Sequence, residues 1–199
     1  MKPLFTVAAA IGLCGLSACV APVGPVQVTR FHLPNTSPLG QGSIAVEPGP
    51  KEDGASLEFR TYAAAVAREL NRIGYSEMVA GSTSSTHVAV LSISKDIFHP
   101  GRERAPVSVG VGGNAGSYGS GVGMGIGVDL SGPPPEQVGT RMSVMIKDRA
   151  SGQTLWEGRA KFAVKATSPL AGSQLGAARL ATALFEGFPG ESGETILVK

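Results

Sequence analysis

A change of hydrophobic period at Ser56 constrains this chain more than any other feature. Before it, and again from His87, apolar residues tend to recur at every second position, the spacing of a strand with two distinct faces. From Ser56 to Ile73 the spacing lengthens. Phe59, Tyr62, Val66, Leu70 and Ile73 follow one another at intervals of 3, 4, 4 and 3 residues, which places them on one face of an amphipathic helix. Gly74 stands where a left-handed helix C-cap belongs, and Arg68, Glu69 and Arg72 fall on the solvent side.

The flanking segments read as strands. Val26 to Leu33 alternates, Ser43 to Val46 is a brief second strand, and Pro48-Gly49-Pro50 breaks the chain before the helix. His87 to Phe98 carries Ala89, Leu91, Ile93 and Ile97 on one face and Val88 and Val90 on the other, which predicts a central place in a sheet. Thr140 to Asp148 and Thr154 to Val164 form a hairpin around Asp148-Arg149-Ala150-Ser151-Gly152, with the chain's one tryptophan, Trp156, on the returning strand. Ser168-Pro169 predicts the start of a second helix by N-cap and first-turn preference. Its stripe is Ala177, Ala181, Leu184 and Phe188, and Pro189-Gly190 is its expected stop. The expected class is α+β, an antiparallel or mixed sheet with two amphipathic helices packed on one face, plus a Gly-rich hairpin or loop.

That glycine segment lies in residues 106–130. Half of the positions from Gly110 to Gly127 are glycine. Gly110-Val111-Gly112-Gly113-Asn114-Ala115 superficially matches a dinucleotide fingerprint, but that motif needs a helix N-terminus after it, and further glycines oppose a helix by about 1 kcal/mol each. The alternation Gly121-Val122-Gly123-Met124-Gly125-Ile126-Gly127-Val128 instead fits a strand, with Val122, Met124, Ile126 and Val128 on one face and bare backbone on the other. Such a flat face suits an exposed hairpin, or one that a strand, a partner or a lipid surface approaches closely.

The first nineteen residues carry an address. Lys2 is followed by an apolar run from Leu4 to Leu16, too short to span a bilayer as a helix and typical of a secretory signal. Leu16-Ser17-Ala18-Cys19 resembles the lipobox of bacterial lipoproteins. That resemblance implies cleavage between Ala18 and Cys19, a diacylglyceryl thioether on Cys19 and acylation of the new amino terminus. The acceptor is a cysteine because a thiolate is a far better nucleophile near neutral pH than a hydroxyl. Leu13 before Cys14 is too large for the same pattern. Two or more acyl chains give stable anchoring, and the resemblance, with Val20 after the cysteine, implies the outer membrane, facing the periplasm.

The expected organisation is a signal peptide over 1–18, a tether over 19–25 and a single α+β domain over 26–199 with the Gly-rich insertion. Removal of 1–18 leaves 181 residues, enough for one core. Cys19 would be the one remaining cysteine, so no disulfide is expected. Loss of Lys2 brings the formal net charge from +2 to +1, which gives no electrostatic footprint for nucleic acid or an anionic membrane.

Three further places resemble a group of bacterial envelope lipoproteins that share a domain of unknown function. They are Arg68-Glu69-Leu70 with Gly74-Tyr75, the hairpin residues Asp148, Ser151-Gly152, Leu155-Trp156, Gly158 and Ala160, and Phe185-Glu186-Gly187-Phe188-Pro189. The resemblance implies a periplasm-facing lipoprotein domain and supplies no catalytic residues.

The remaining motifs point away from catalysis. Ser92-Ile93-Ser94-Lys95 matches a Ser-x-x-Lys pattern but sits in an alternating strand without companion motifs. His32, His87 and His99 lack metal-ligand spacing. Asp148 is expected to close its turn and Trp156 to anchor the core. No cofactor, metal or catalytic residue is expected, and the protein is read as not an enzyme. Its expected role is a membrane-attached binding or envelope-maintenance module, held by the anchor on Cys19, with an envelope protein as possible partner and no nucleic acid. The alternatives are a carrier of a lipid or apolar small molecule and, more weakly, an envelope hydrolase.

Overall fold

A computed structural model describes residues 24–100, 107–116, 119–128 and 134–199. Ala18 and Cys19 lie outside the described residues, as does most of the tether.

The fold is α+β. In chain order its elements are β1 (Val26–His32), β2 (Ser43–Pro48), α1 (Leu57–Arg72), β3 (Ser76–Met78), β4 (His87–Phe98), β5 (Val107–Gly116), β6 (Gly119–Val128), β7 (Gln137–Asp148), β8 (Thr154–Lys165), α2 (Ser173–Phe185) and β9 (Thr195–Val198). Seven strands form one mixed sheet in the order β3-β2-β4-β7-β8-β1-β9, and β5 and β6 pair separately as an antiparallel ladder. β2 runs parallel to β3 and β4, and every other pairing in the main sheet is antiparallel. The expected central strand is β4, held between β2 and β7.

α1 begins where its cap predicts, with the Phe59 amide donating to Ser56 Oγ at 3.0 Å. It ends at Gly74, whose φ of +112° no bulky residue adopts easily, and whose Cβ position would lie 2.4 Å from the Gly40 carbonyl oxygen. The second helix departs from expectation at both ends. Ser168 and Pro169 cap a single 3-10 turn, Pro169–Ala171, and α2 starts only after Gly172. α2 ends at Phe185, so Phe188 packs from the following loop and Pro189-Gly190 is not the stop. The reason is Glu186, which turns to extended backbone, followed by Gly187 at φ +66°.

Register fixes which residues share a face. Rows such as Ile93–Met142–Ala160–Val28 and Ala89–Ile146–Trp156–His32 run across the sheet on the helix-bearing side. Tyr62, Val66 and Leu70 of α1 and Leu180, Leu184 and Phe185 of α2 fill the layer above them. Trp156 is fully buried, stacked 5.4 Å from Phe185, with its indole N–H donated to the Pro189 carbonyl at 3.0 Å. Gly158 makes that placement possible: a Cβ there would stand 2.2 Å from Trp156 Cη2 and 2.7 Å from Leu184 Cδ1. The terminal apolar patch becomes β9, which pairs with β1 from Val26 to Thr29.

One expectation about β4 fails at its end. Ile97 has the parity of the core face but is 68% exposed, because the first turns of the two helices reach only as far as Lys95, and the strand runs on past them.

Candidate functional site

The side of the main sheet opposite the helices is the place where polar and apolar groups converge in the open. Its rows follow from the same register. Ser94, Arg141, Lys161, Gln27 and Leu197 form one row, and Ser92, Ser143, Arg159, Thr29 and Thr195 the next. Two adjoining grooves run along them. The larger, about 420 Å³, is lined by Pro25, Phe98, Arg141, Lys161 and Leu197 among others, and Asp96 lines it as well. The smaller, about 290 Å³, lies between Phe31, Thr29, Arg141 and Arg159.

Arg141 and Lys161 are directly opposite each other on antiparallel strands. Like charges in that relation weaken a sheet by a fraction of a kcal/mol, so the pair is retained at a cost. Arg159 is neutralised locally by Glu157, with Nε and Nη2 at 2.8 and 2.7 Å from Oε1. Lys161 and Lys165 form no ion pair among the described residues. Phe31, Phe98 and Leu197 are exposed beside these cations. The arrangement can accept an anionic group and an apolar one side by side, and none of it was legible from a net charge of +1 or +2. The available signal was parity. Arg159, Lys161 and Lys165 share the odd parity of one strand with Ala163, on the face away from Ala160, Phe162 and Val164.

The Ser-x-x-Lys motif is dispersed by the pleat. Ser92 and Lys95 have opposite parity on β4, and Lys95 turns to the helices, where its ammonium donates to Glu58 and, at 2.8 Å, to Ser173 Oγ. Ser173 also donates to Glu58 Oε1 at 2.9 Å. Hydrogen bonds from Lys95 first, and then from Ser173, hold the Glu58 carboxyl below its ordinary pKa. A serine beside a lysine is the start of a nucleophile and base pair, but a base must accept the proton, and this amine is a donor to a carboxylate. The trio ties β4 to the first turns of both helices.

The histidines stay apart. His32 bonds the carbonyls of Leu33 and Gly190 at 2.8 and 3.1 Å, and His87 contacts Thr86 Oγ1 at 3.1 Å and lies edge-on to Tyr75. His99 lies 3.6 Å from Glu136. His87 opens β4 and His99 follows its end, so about 40 Å of extended chain separates them. Among the described residues no three His, Cys, Asp or Glu side chains come together as a metal site. Asp148 closes its turn, accepting from the Ser151 amide and hydroxyl at 2.8 and 2.7 Å, and these bonds lower its pKa. Gly110 to Ala115 lie inside β5, whose strand continues to Gly116, so the fingerprint does not open a helix.

Sequence reading missed Arg30. This cation is buried on the core side of β1, where its parity with Val26 and Val28 calls for an apolar residue. Its guanidinium donates to the carbonyls of Leu184 at 3.0 Å, Ala183 at 3.1 Å and Glu186 at 2.7 Å, the unsatisfied acceptors at the end of α2. Burial lowers its pKa, and the nearby Glu186 and Glu194 oppose that shift. Arg30 is thus a helix cap supplied by a distant strand.

No protein-family profile matches the chain. It is 28% identical over 216 aligned residues to an uncharacterized protein of Zymomonas mobilis, an alignment spanning 88% of this chain and 80% of that one. Among solved structures it is similar to the PelC dodecamer from Paraburkholderia phytofirmans, at 11% identity and a TM-score of 0.40, covering 80% of this chain and 96% of that one. It is also similar to a PDZ domain protein from Parabacteroides distasonis, at 10% identity and a TM-score of 0.47, covering 88% of this chain and 39% of that one. Likenesses this distant carry no functional argument.

Proposed function

We propose that this chain is a bacterial envelope lipoprotein, cleaved between Ala18 and Cys19 and held by acyl chains on Cys19 in the outer membrane. Its periplasm-facing domain acts as a non-enzymatic binding module for another envelope component. The lipobox supports the anchor. The observation that carries the binding role is the helix-free sheet face, where like charges at Arg141 and Lys161 are kept opposite each other beside exposed Phe98 and Leu197.

A second reading is carriage of a lipid or apolar small molecule. The layer between helices and sheet is filled by Tyr62, Leu70, Leu91, Met142, Trp156 and Leu184, all essentially inaccessible. A carried molecule would therefore use the open groove, which exposed Phe98 and Leu197 line.

The anchor is tested by fatty-acid labelling of cells expressing the wild-type chain or Cys19→Ser. Labelling is expected only in the wild type, and a labelled Cys19→Ser chain refutes the lipobox. The binding role is tested with a photo-crosslinking residue at Gln27, on the open face, and at Lys51, on the turn before α1. A discrete adduct from Gln27 alone is expected, and equal adducts from both positions would refute a specific surface.

A further inference from the structure

The tether and the glycine ladder leave the main sheet at the same end. Pro25, the last residue of the tether, lines the groove that Phe98 also lines. Phe98 is the last residue of β4, and it pairs with Gln137, the first of β7. The chain therefore departs toward β5 and returns from β6 at one rung of the sheet, and eight residues separate each ladder strand from that rung. Exposed Ile97, Phe98 and Leu197 lie at this end, with Arg141, Lys161 and Lys165 beside them. Six residue steps from Cys19 to Pro25 span at most about 21 Å. An acylated Cys19 would thus hold this end, and no other, near the lipid surface.

The ladder itself has the dimensions and pattern of a membrane strand pair. β5 and β6 are 10 residues each, and a strand needs about 9 to 11 residues to cross the hydrocarbon when tilted. Ten residues rise about 33 Å, and a tilt of about 40° reduces that to about 25 Å, the height of the apolar band of an outer-membrane barrel. Register sets Val107 opposite Val128, Val109 opposite Ile126 and Val111 opposite Met124. The alternate rungs set Ser108 opposite Gly127, Gly110 opposite Gly125 and Gly112 opposite Gly123. Opposed positions share a face and successive ones alternate, so every Val, Ile and Met of the ladder shares one face, together with Gly113, Ala115 and Ser120, and the other face holds only Gly, Ser and Asn. From Val107 to Val128 there is no Asp, Glu, Lys, Arg or His, whereas Arg104 and Asp129 stand just outside. A soluble strand of the same chain looks different: β4 carries Ser92, Ser94 and Asp96 on its open face.

We propose that β5 and β6 form a transmembrane β-hairpin, this chain's two-strand share of a barrel closed by further copies of the chain. The apolar face meets lipid and the glycine face lines the lumen. Closure by further strands is required physically. A lone hairpin in hydrocarbon leaves two strand edges unpaired, at several kcal/mol for each unsatisfied backbone group, and only a closed ring removes them. Barrels start at about eight strands, so four or more copies would contribute. The grooved sheets would then ring the base of the barrel on the periplasmic side. The proposal rests on the anchored-lipoprotein reading for its choice of membrane.

Cysteine scanning in native membranes tests it, helped by the fact that Cys19 would be the mature chain's one cysteine. Single replacements Val109→Cys, Met124→Cys and Ile126→Cys alternate with Ser108→Cys, Gly110→Cys and Gly125→Cys, each probed with a membrane-impermeant maleimide. Labelling is expected at the second set and lost at the first. Uniform labelling, or uniform protection without alternation, overturns the proposal. A readout on the unsubstituted chain guards against variants that fail to fold. Detergent-extracted protein should migrate unheated as a multimer that heating converts to monomer, and deletion of 107–128 should abolish the multimer; a chain that is monomeric before heating overturns the ring. Fatty-acid labelling of the same samples separates the two readings. An acylated chain without alternation sinks the hairpin and leaves the anchor, and alternation without acylation does the reverse.

Discussion

Removing the guanidinium of Arg30 tests how far one side chain holds the second helix to the sheet. In Arg30→Met the aliphatic stem remains, but the carbonyls of Leu184, Ala183 and Glu186 lose their donors at 3.0, 3.1 and 2.7 Å. The Glu186 carbonyl is only partly buried and water can replace its partner. The other two are buried, and each orphaned acceptor costs about 1 to 3 kcal/mol. Loss of a cation at a helix C-terminus adds up to about 2 kcal/mol, while release from burying the charge offsets part of the total. The expected net loss is about 3 kcal/mol. For a domain of this size that corresponds to a fall in Tm of about 6 to 12 °C. Urea unfolding followed by the fluorescence of Trp156, which packs against Phe185 at the same helix end, measures it directly. Arg30→Lys keeps the charge but cannot reach three carbonyls with a planar fork, so it should recover about half of the loss. A stability of Arg30→Met within about 1 kcal/mol of wild type would refute the capping argument.

Two further outcomes follow from packing and from linkage. Gly158→Ala should cost about 3 kcal/mol, because its methyl would overlap Trp156 and Leu184, whereas Gly152→Ala, at φ +72° with nothing within 4 Å, should cost about 1 kcal/mol; comparable denaturant midpoints for the two would contradict the overlap. Burial, assisted by Glu58 and opposed by a hydrogen bond with Thr140, raises the Tyr62 phenol to about 12. The unfolded chain releases that proton near pH 10 and the folded one near 12, so this contribution is intact below pH 10 and drains away as pH rises to 12, by about 2 to 3 kcal/mol. Urea midpoints at about pH 9 and about pH 11.5 should diverge more for wild type than for Tyr62→Phe, and parallel losses would show that Tyr62 is not the group responsible.

Local pattern determined much of this protein. Period alone separated strands from helices, because alternation and the 3.6 repeat are properties of the backbone that any buried face must respect. Ser56 and Gly74 bounded α1 for reasons that act within a few residues. α2 was less legible, since Pro169 spends its preference on a 3-10 turn and the helix end is decided by Glu186, Gly187 and a guanidinium from β1. The address at Leu16 to Cys19 and the alternation of Gly121 to Val128 are likewise local, and they remain readings of sequence. Only the tertiary structure decided what these pieces face. Register put Arg141 opposite Lys161, joined Pro25 and Phe98 in one groove and left Ile97 beyond the helices. A count of charges sums over all directions, whereas a sheet sorts residues by parity and brings distant strands into one row. That sorting placed cations, exposed Phe98 and Leu197, the end of the tether and the root of the glycine ladder at one end of a nearly neutral chain.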